Sequence, residues 1–137
     1  MSLFDAIGIS SSGMTAQQLR VDIISNNIAN ANTTRAANGE PYRREIPIFA
    51  ERFAVTRGGT VPDGVEVVKV AKDNSPFQKI YDPTNPDADK DGYVKMPNVN
   101  VVREMVDLIA AQRSYEANAT VISNVKAMAS AAVQIGR

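Results

Sequence analysis

Apolar residues recur every seven positions near the start of the chain, at Ile7, Met14, Val21 and Ile28. Ile24 and Ala31 fill the companion position three residues on, where Ser10 and Gln17 stand earlier. This a/d-type spacing predicts a helix over residues 10 to about 31, with an apolar seam that is imperfect in its first half. Ser10, Ser11 and Ser12 carry oxygens suited to capping its free amides. Leu19 and Ile23 lie off the seam and widen the apolar face. The run of Asn26, Asn27, Asn30, Asn32, Thr33 and Thr34 then weakens the helix, because these side chains compete for backbone groups.

A second periodic segment covers residues 99 to about 134 without Gly or Pro. It predicts one helix of roughly 54 Å. Val102, Met105, Ile109 and Gln112 follow one stripe, and Tyr115, Asn118, Ile122, Val125, Ala129 and Ala132 another. A three-residue step joins them where a heptad needs four, the pattern of a stammer that overwinds a supercoil. Gly136 is a plausible stop.

Between the helices the character changes. All 7 prolines lie within residues 32–98, which excludes a long helix there. Residues 42–53, 65–71, 77–81 and 93–95 predict short strands, the second entered from a turn at Pro62-Asp63-Gly64. Arg57-Gly58-Gly59-Thr60 has the composition of a hairpin tip, and residues 81–92 of an irregular linker. The predicted class is α+β: residues 1–31 and 99–137 form a coiled-coil helix pair around a small β-rich region at 32–98.

Charge follows the same division. Residues 32–98 hold 20 of the 30 charged residues, and the first 31 hold only Asp5, Arg20 and Asp22. The rest of the first helix's surface is Ser, Thr, Asn, Gln and Ala, which suits close helix contact on several sides better than it suits a solvated face. A compact middle region of ~60 residues would be about 25–30 Å across and would not cover the longer helix. Neighbouring copies burying these faces is the simplest account, and on it the ends order fully only in the assembly.

Other chemistry finds little footing. The net charge of zero lacks the basic footprint of a nucleic-acid binder. Without His or Cys there is no thiolate zinc site and no Ser–His or Cys–His pair, so no enzyme and no cofactor are expected. Asp87, Asp89, Asp91 and Gly92 copy positions 1, 3, 5 and 6 of a calcium loop, but Asn98 stands where the bidentate Glu belongs and Pro83 and Pro86 prevent an entering helix. A charged, solvated turn is the plainer reading. Arg43-Arg44, flanked by Glu40 and Glu45, reads as a solvated strand edge. No stretch approaches a membrane span, and MSLFDAIGISSSG does not read as a cleaved signal peptide.

The run Ser12-Gly13-Met14, Ala16-Gln17 and Asn26-Asn27-Ile28-Ala29-Asn30-Ala31-Asn32-Thr33 resembles the N-terminal signature of the bacterial flagellar rod, hook and related axial proteins. The continuation through Thr34-Arg35 and Gly39-Glu40-Pro41-Tyr42-Arg43-Arg44, with residues 81–118, is similar to the proximal members of the basal-body rod family. The resemblance implies a structural subunit of the rod, the drive shaft that transmits motor torque across the periplasm. It implies export by the flagellar type III apparatus without signal cleavage. Implied neighbours are further copies, the rod proteins FlgB, FlgF and FlgG, the junction protein FliE and the MS ring. On this reading Ile7, Met14, Val21, Ile24 and Ile28 form the N-helix seam. Val102, Met105, Ile109, Tyr115, Ile122 and Val125 form the C-helix seam. Asn26, Asn27, Asn30 and Asn32 hydrogen-bond at the helix exit and to neighbouring subunits. The alternative is a cytosolic coiled-coil adapter that docks the same helices on a dissimilar partner.

Overall fold

The computed structural model describes residues 3–56 and 59–135. Gly136, and Arg57 and Gly58 of the expected hairpin tip, lie outside them. Six elements follow in order: α1 (Leu3–Ala29), β1 (Glu45–Thr56), β2 (Gly59–Lys72), β3 (Gln78–Tyr81), β4 (Tyr93–Met96) and α2 (Val101–Ile135). The α+β class and the two terminal helices are as expected. No helix among the described residues is long and apolar enough to cross a membrane.

Helix α1 begins well before Ser10, so the serines are interior residues and not caps. The Ser12 hydroxyl instead bonds within and across elements. Ser12 Oγ donates to the Ile9 carbonyl at 2.7 Å and accepts the Val65 amide of β2 at 3.1 Å. Interior serines commonly satisfy themselves on the preceding turn, and here one also fastens a strand.

The two helices pack antiparallel. Asn27 of α1 meets Glu104 near the start of α2, whereas Gly13 faces Asn118 further along. A Cβ at Gly13 would stand 2.9 Å from Asn118 Nδ2, so the glycine permits the close approach. The α2 residues turned inward are Glu104, Leu108, Ala111, Tyr115, Asn118, Ile122, Val125 and Ala129, all buried or half-buried. Their spacing alternates four and three without a break, as in an ordinary heptad seam. The expected stammer is therefore absent. It arose from joining two different faces of α2 into one line.

The middle region is also not the compact body expected from its composition. β1 and β2 pair antiparallel as one long hairpin, with register irregularities between Ile48 and Phe49 and between Glu51 and Phe53. Pro62-Asp63-Gly64 lies inside β2, beside one of these irregularities, and not in a turn before it. Fourteen residues of β2 span roughly 46 Å, comparable with α1. The hairpin starts beside Asn27 and touches α1 again where Gly64 and Val65 meet Ser12. β3 and β4 make a second, smaller hairpin, closed by an edge-on Tyr81–Tyr93 contact at 5.3 Å.

Among the described residues the buried apolar set is small: Ala16, Ile23, Ile24, Ala31, Val94, Val99, Ala111 and Val125, with Pro41 and Pro97. Gly64 is sensitive for a separate reason. Its φ of 110° lies in the region that favours glycine, and an added Cβ would overlap Ser12 Oγ. Gly64→Ala is expected to cost at least ~2 kcal/mol, read as a lowered urea midpoint.

Candidate assembly interface

The N-terminal half of α2 presents two faces with different chemistry. Inward lies Glu104, with no solvent exposure. Outward lie Val102 at 73%, Met105 at 54%, Val106 at 63% and Ile109 at 52% exposure. Three of the expected C-helix seam residues, Val102, Met105 and Ile109, are thus outside the helix pair. The other three, Tyr115, Ile122 and Val125, line it. Val102, Val106 and Ile109 form a 4–3 line along the outer face, so the helix carries an apolar stripe with no partner among the described residues.

On α1 the line facing α2 runs through Ser10, Gly13, Gln17, Arg20, Ile24 and Asn27 at heptad spacing. Ile24 is its one large apolar member and is buried, and Ile7, Met14, Val21 and Ile28 flank the line half-buried. Small and polar residues therefore occupy much of the contact. Gln17 Oε1 is buried there without a hydrogen bond.

The polar residues converge on one cluster where the helices, the hairpin and the approach to α2 meet. Asn27 has every hydrogen-bonding position filled. Its Nδ2 donates to the Glu45 carbonyl at 2.8 Å and to Glu104 Oε2 at 3.0 Å. Its Oδ1 accepts from Tyr42 Oη at 2.9 Å and from the Glu45 amide at 3.0 Å. Arg44 Nε donates to Glu104 Oε1 at 2.6 Å, and its other nitrogens reach Asp73 at 3.6 Å and Asp107 at 3.8 Å. Asp107 also pairs with Arg20 at 3.4 Å. Asn98 accepts the Arg44 amide at 2.8 Å and donates to the Asp73 carbonyl at 2.9 Å.

The clasp corrects the reading of Arg43-Arg44 as a solvated edge. Arg44 neutralises a buried carboxylate, while Arg43 donates to the carbonyls of Asp73 and Ser75 and lies 4.3 Å over the Phe77 ring. Of the four expected asparagines, Asn27 is the buried anchor. Asn30 donates to the Asn26 carbonyl at 2.9 Å at the helix exit, whereas the side chains of Asn26 and Asn32 are exposed. Glu104, Tyr42 and Asn98 were not among the expected residues. One signal was available: in the continuous heptad frame of α2, position 104 falls on the buried line.

The acidic 82–92 segment uses its carboxylates to shape itself. Asp87 accepts the Thr34 hydroxyl at 2.7 Å and pairs with Arg35 at 3.6 Å, tying the segment to the exit of α1. Asp89 accepts the amides of Asp91 and Tyr93. The Tyr93 amide bond first, with help from Asp91, Lys79 and Lys95, holds the Asp89 carboxyl below its usual range. Among the described residues no group of three or more acidic side chains is arranged to hold a metal ion.

Two experiments probe the clasp. Arg44→Leu leaves Glu104 buried and uncompensated, and is expected to cost about 3–5 kcal/mol. Pairing it with Glu104→Leu is expected to recover much of that loss in a double-mutant denaturation cycle. Burial first, then the charges of Glu45 and Glu104, push the Tyr42 hydroxyl above its ordinary value. Its contribution is therefore complete below pH ~10 and is lost as pH rises through the folded value. Tyr42→Phe is expected to show a shallower alkaline decline in stability than the parent chain.

The sequence that builds this geometry has counterparts in known proteins. The family described as "Flagella basal body rod protein" matches residues 7–36, and "Flagellar basal body rod FlgEFG protein C-terminal" matches residues 90–135. These stretches contain most of α1, including Asn27, and all of α2, including Glu104. The chain is 49% identical to the flagellar basal-body rod protein FlgC of Borreliella burgdorferi, covering 98% of each. It is 43% identical to the FlgC of Bacillus subtilis and 39% identical to that of Escherichia coli O6:H1, each over the full length of both chains.

Proposed function

The chain belongs to the flagellar basal-body rod protein family and is a structural subunit of that rod; from this premise we propose that it polymerises through its paired terminal helices into the proximal, torque-carrying shaft. The observation that carries the proposal is the outer stripe of α2. Val102, Val106 and Ile109 are exposed on a helix whose inner face is already fully engaged. A solvated helix normally turns charged residues outward, and a contiguous apolar surface of this kind marks an interaction site.

On this reading residues 1–31 and 99–137 form an inner coiled-coil domain and residues 32–98 lie outside it. Neighbouring subunits cover the stripe. The partners are further copies, FlgB, FlgF and FlgG, with FliE and the MS ring at the base. The rod crosses the periplasm, and the flagellar type III apparatus delivers the subunit without cleaving a signal. No catalytic step is assigned. The full-length similarity to rod proteins favours this reading over a cytosolic adapter.

The test is a deletion strain restored with a copy tagged between β1 and β2. The tagged chain is expected in purified basal bodies, with filaments lost in the deletion. In the same strain Ile122→Asp, which places a carboxylate in the half-buried helix seam, is expected to block incorporation and abolish swimming, since an unpaired buried charge costs several kcal/mol. A flagellated deletion strain, or a tagged protein left in the cytosol, would refute the proposal.

A further inference from the structure

The face of α1 turned away from α2 carries a concave counterpart to the stripe. Gly8, Thr15 and Leu19 of the helix and Val65 and Val67 of β2 border a trough of about 560 Å³. A second depression of about 550 Å³ shares Ser11, Thr15 and Leu19 and curves round α1 past Asp22 to Tyr115 of α2 at the edge of the helix pair. Positions 15 and 19 lie across the helix from Gly13, Arg20 and Ile24, which face α2. The stripe and the trough therefore sit on opposite sides of the helix pair.

Their rims carry opposite charge. The line Val102, Val106, Ile109 runs on at the same spacing into Arg113 and then Glu116, with Arg103 beside it, so the two arginines outweigh one carboxylate. Asp22 and Glu66 stand at the trough, together with Arg52, whose charge is offset by Asp63 at 3.0 Å. None of Asp22, Glu66, Arg103 and Arg113 forms an ion pair among the described residues, although Arg20, Arg35, Arg44 and Arg52 all do. An open polymer of identical subunits needs two different, mutually complementary patches, because a self-complementary patch closes into a dimer. Opposed faces, one convex with a basic rim and one concave with an acidic rim, meet that requirement.

We infer that successive copies of this subunit join head to tail, the outer stripe of α2 on one copy seating in the trough between α1 and β2 of the next. The inference rests on the rod reading and names the surfaces that this reading leaves open. Ile109 meets Leu19 of the neighbour, Val106 lies near its Thr15, and Arg103 and Arg113 approach Asp22 and Glu66.

The chain has no cysteine of its own, so single cysteines give a clean test. Two gene copies, one with Leu19→Cys and one with Ile109→Cys, are expressed together in the deletion strain, and isolated basal bodies are oxidised. The two positions cannot meet within one chain, because both helices lie between them. The expected product is a species of twice the chain mass that requires both variants. Thr15→Cys with Val106→Cys is expected to give the same result. Dimers from Ile109→Cys alone would show stripe meeting stripe and overturn the proposal. So would linkage of Ile109→Cys only to a chain of different mass, or no linkage from either pair. Absence of the chain from basal bodies would instead count against the rod reading itself.

Discussion

A single buried carboxylate organises this molecule. Glu104 lies wholly out of solvent at the head of α2, where an unpaired charge would be strongly unfavourable. It is tolerated because Arg44 meets one oxygen and Asn27 the other. These partners come from β1's approach and from α1, so the electrostatic requirement of one side chain draws three distant segments together. Tyr42, Glu45, Asn98 and Asp73 then complete the hydrogen bonding that the cluster needs. Buried ion pairs add little net stability compared with apolar packing but penalise wrong arrangements severely. With an apolar core of mostly small side chains, specificity of this kind decides how the helices register against one another.

The polar character of the contact between the helices fits the same logic. Gly13, Gln17, Arg20 and Asn27 occupy positions that a free-standing coiled coil would fill with larger apolar groups. The more strongly apolar residues of α2's first half face outward. Surface that a monomer would bury internally is thus displayed, and this inversion separates a subunit designed for a polymer from an ordinary helical hairpin.

How much of this could be read from the sequence depended on the range of the interaction. Both helices were legible because a long segment without Gly or Pro and a heptad of apolar residues are local signals. The strands were legible as β-forming runs between prolines, but their union into one long hairpin was not, since Pro62 and Gly64 read as a turn and are absorbed at an irregularity in β2. Two apolar faces on α2 were merged into one line because periodicity alone does not say which face a neighbour covers. The clasp was illegible for a different reason: Arg44 and Glu104 are 60 residues apart, and each looks like an ordinary surface charge until its partner is known. Asn27 stood out through its motif, though its four bonds required the fold.

The hairpin's attachment has a mechanical consequence. β1 is pinned at its first residue by Asn27, and β2 is pinned about seven residues from its end by Ser12. Two fixings along one line prevent the ribbon from pivoting on the helices. A sideways load on the hairpin is resisted first at Ser12 and then, through the paired strands, at the clasp. Rotation applied to the outer ribbon would thus reach both helices together, without a hinge at which the motion could be lost.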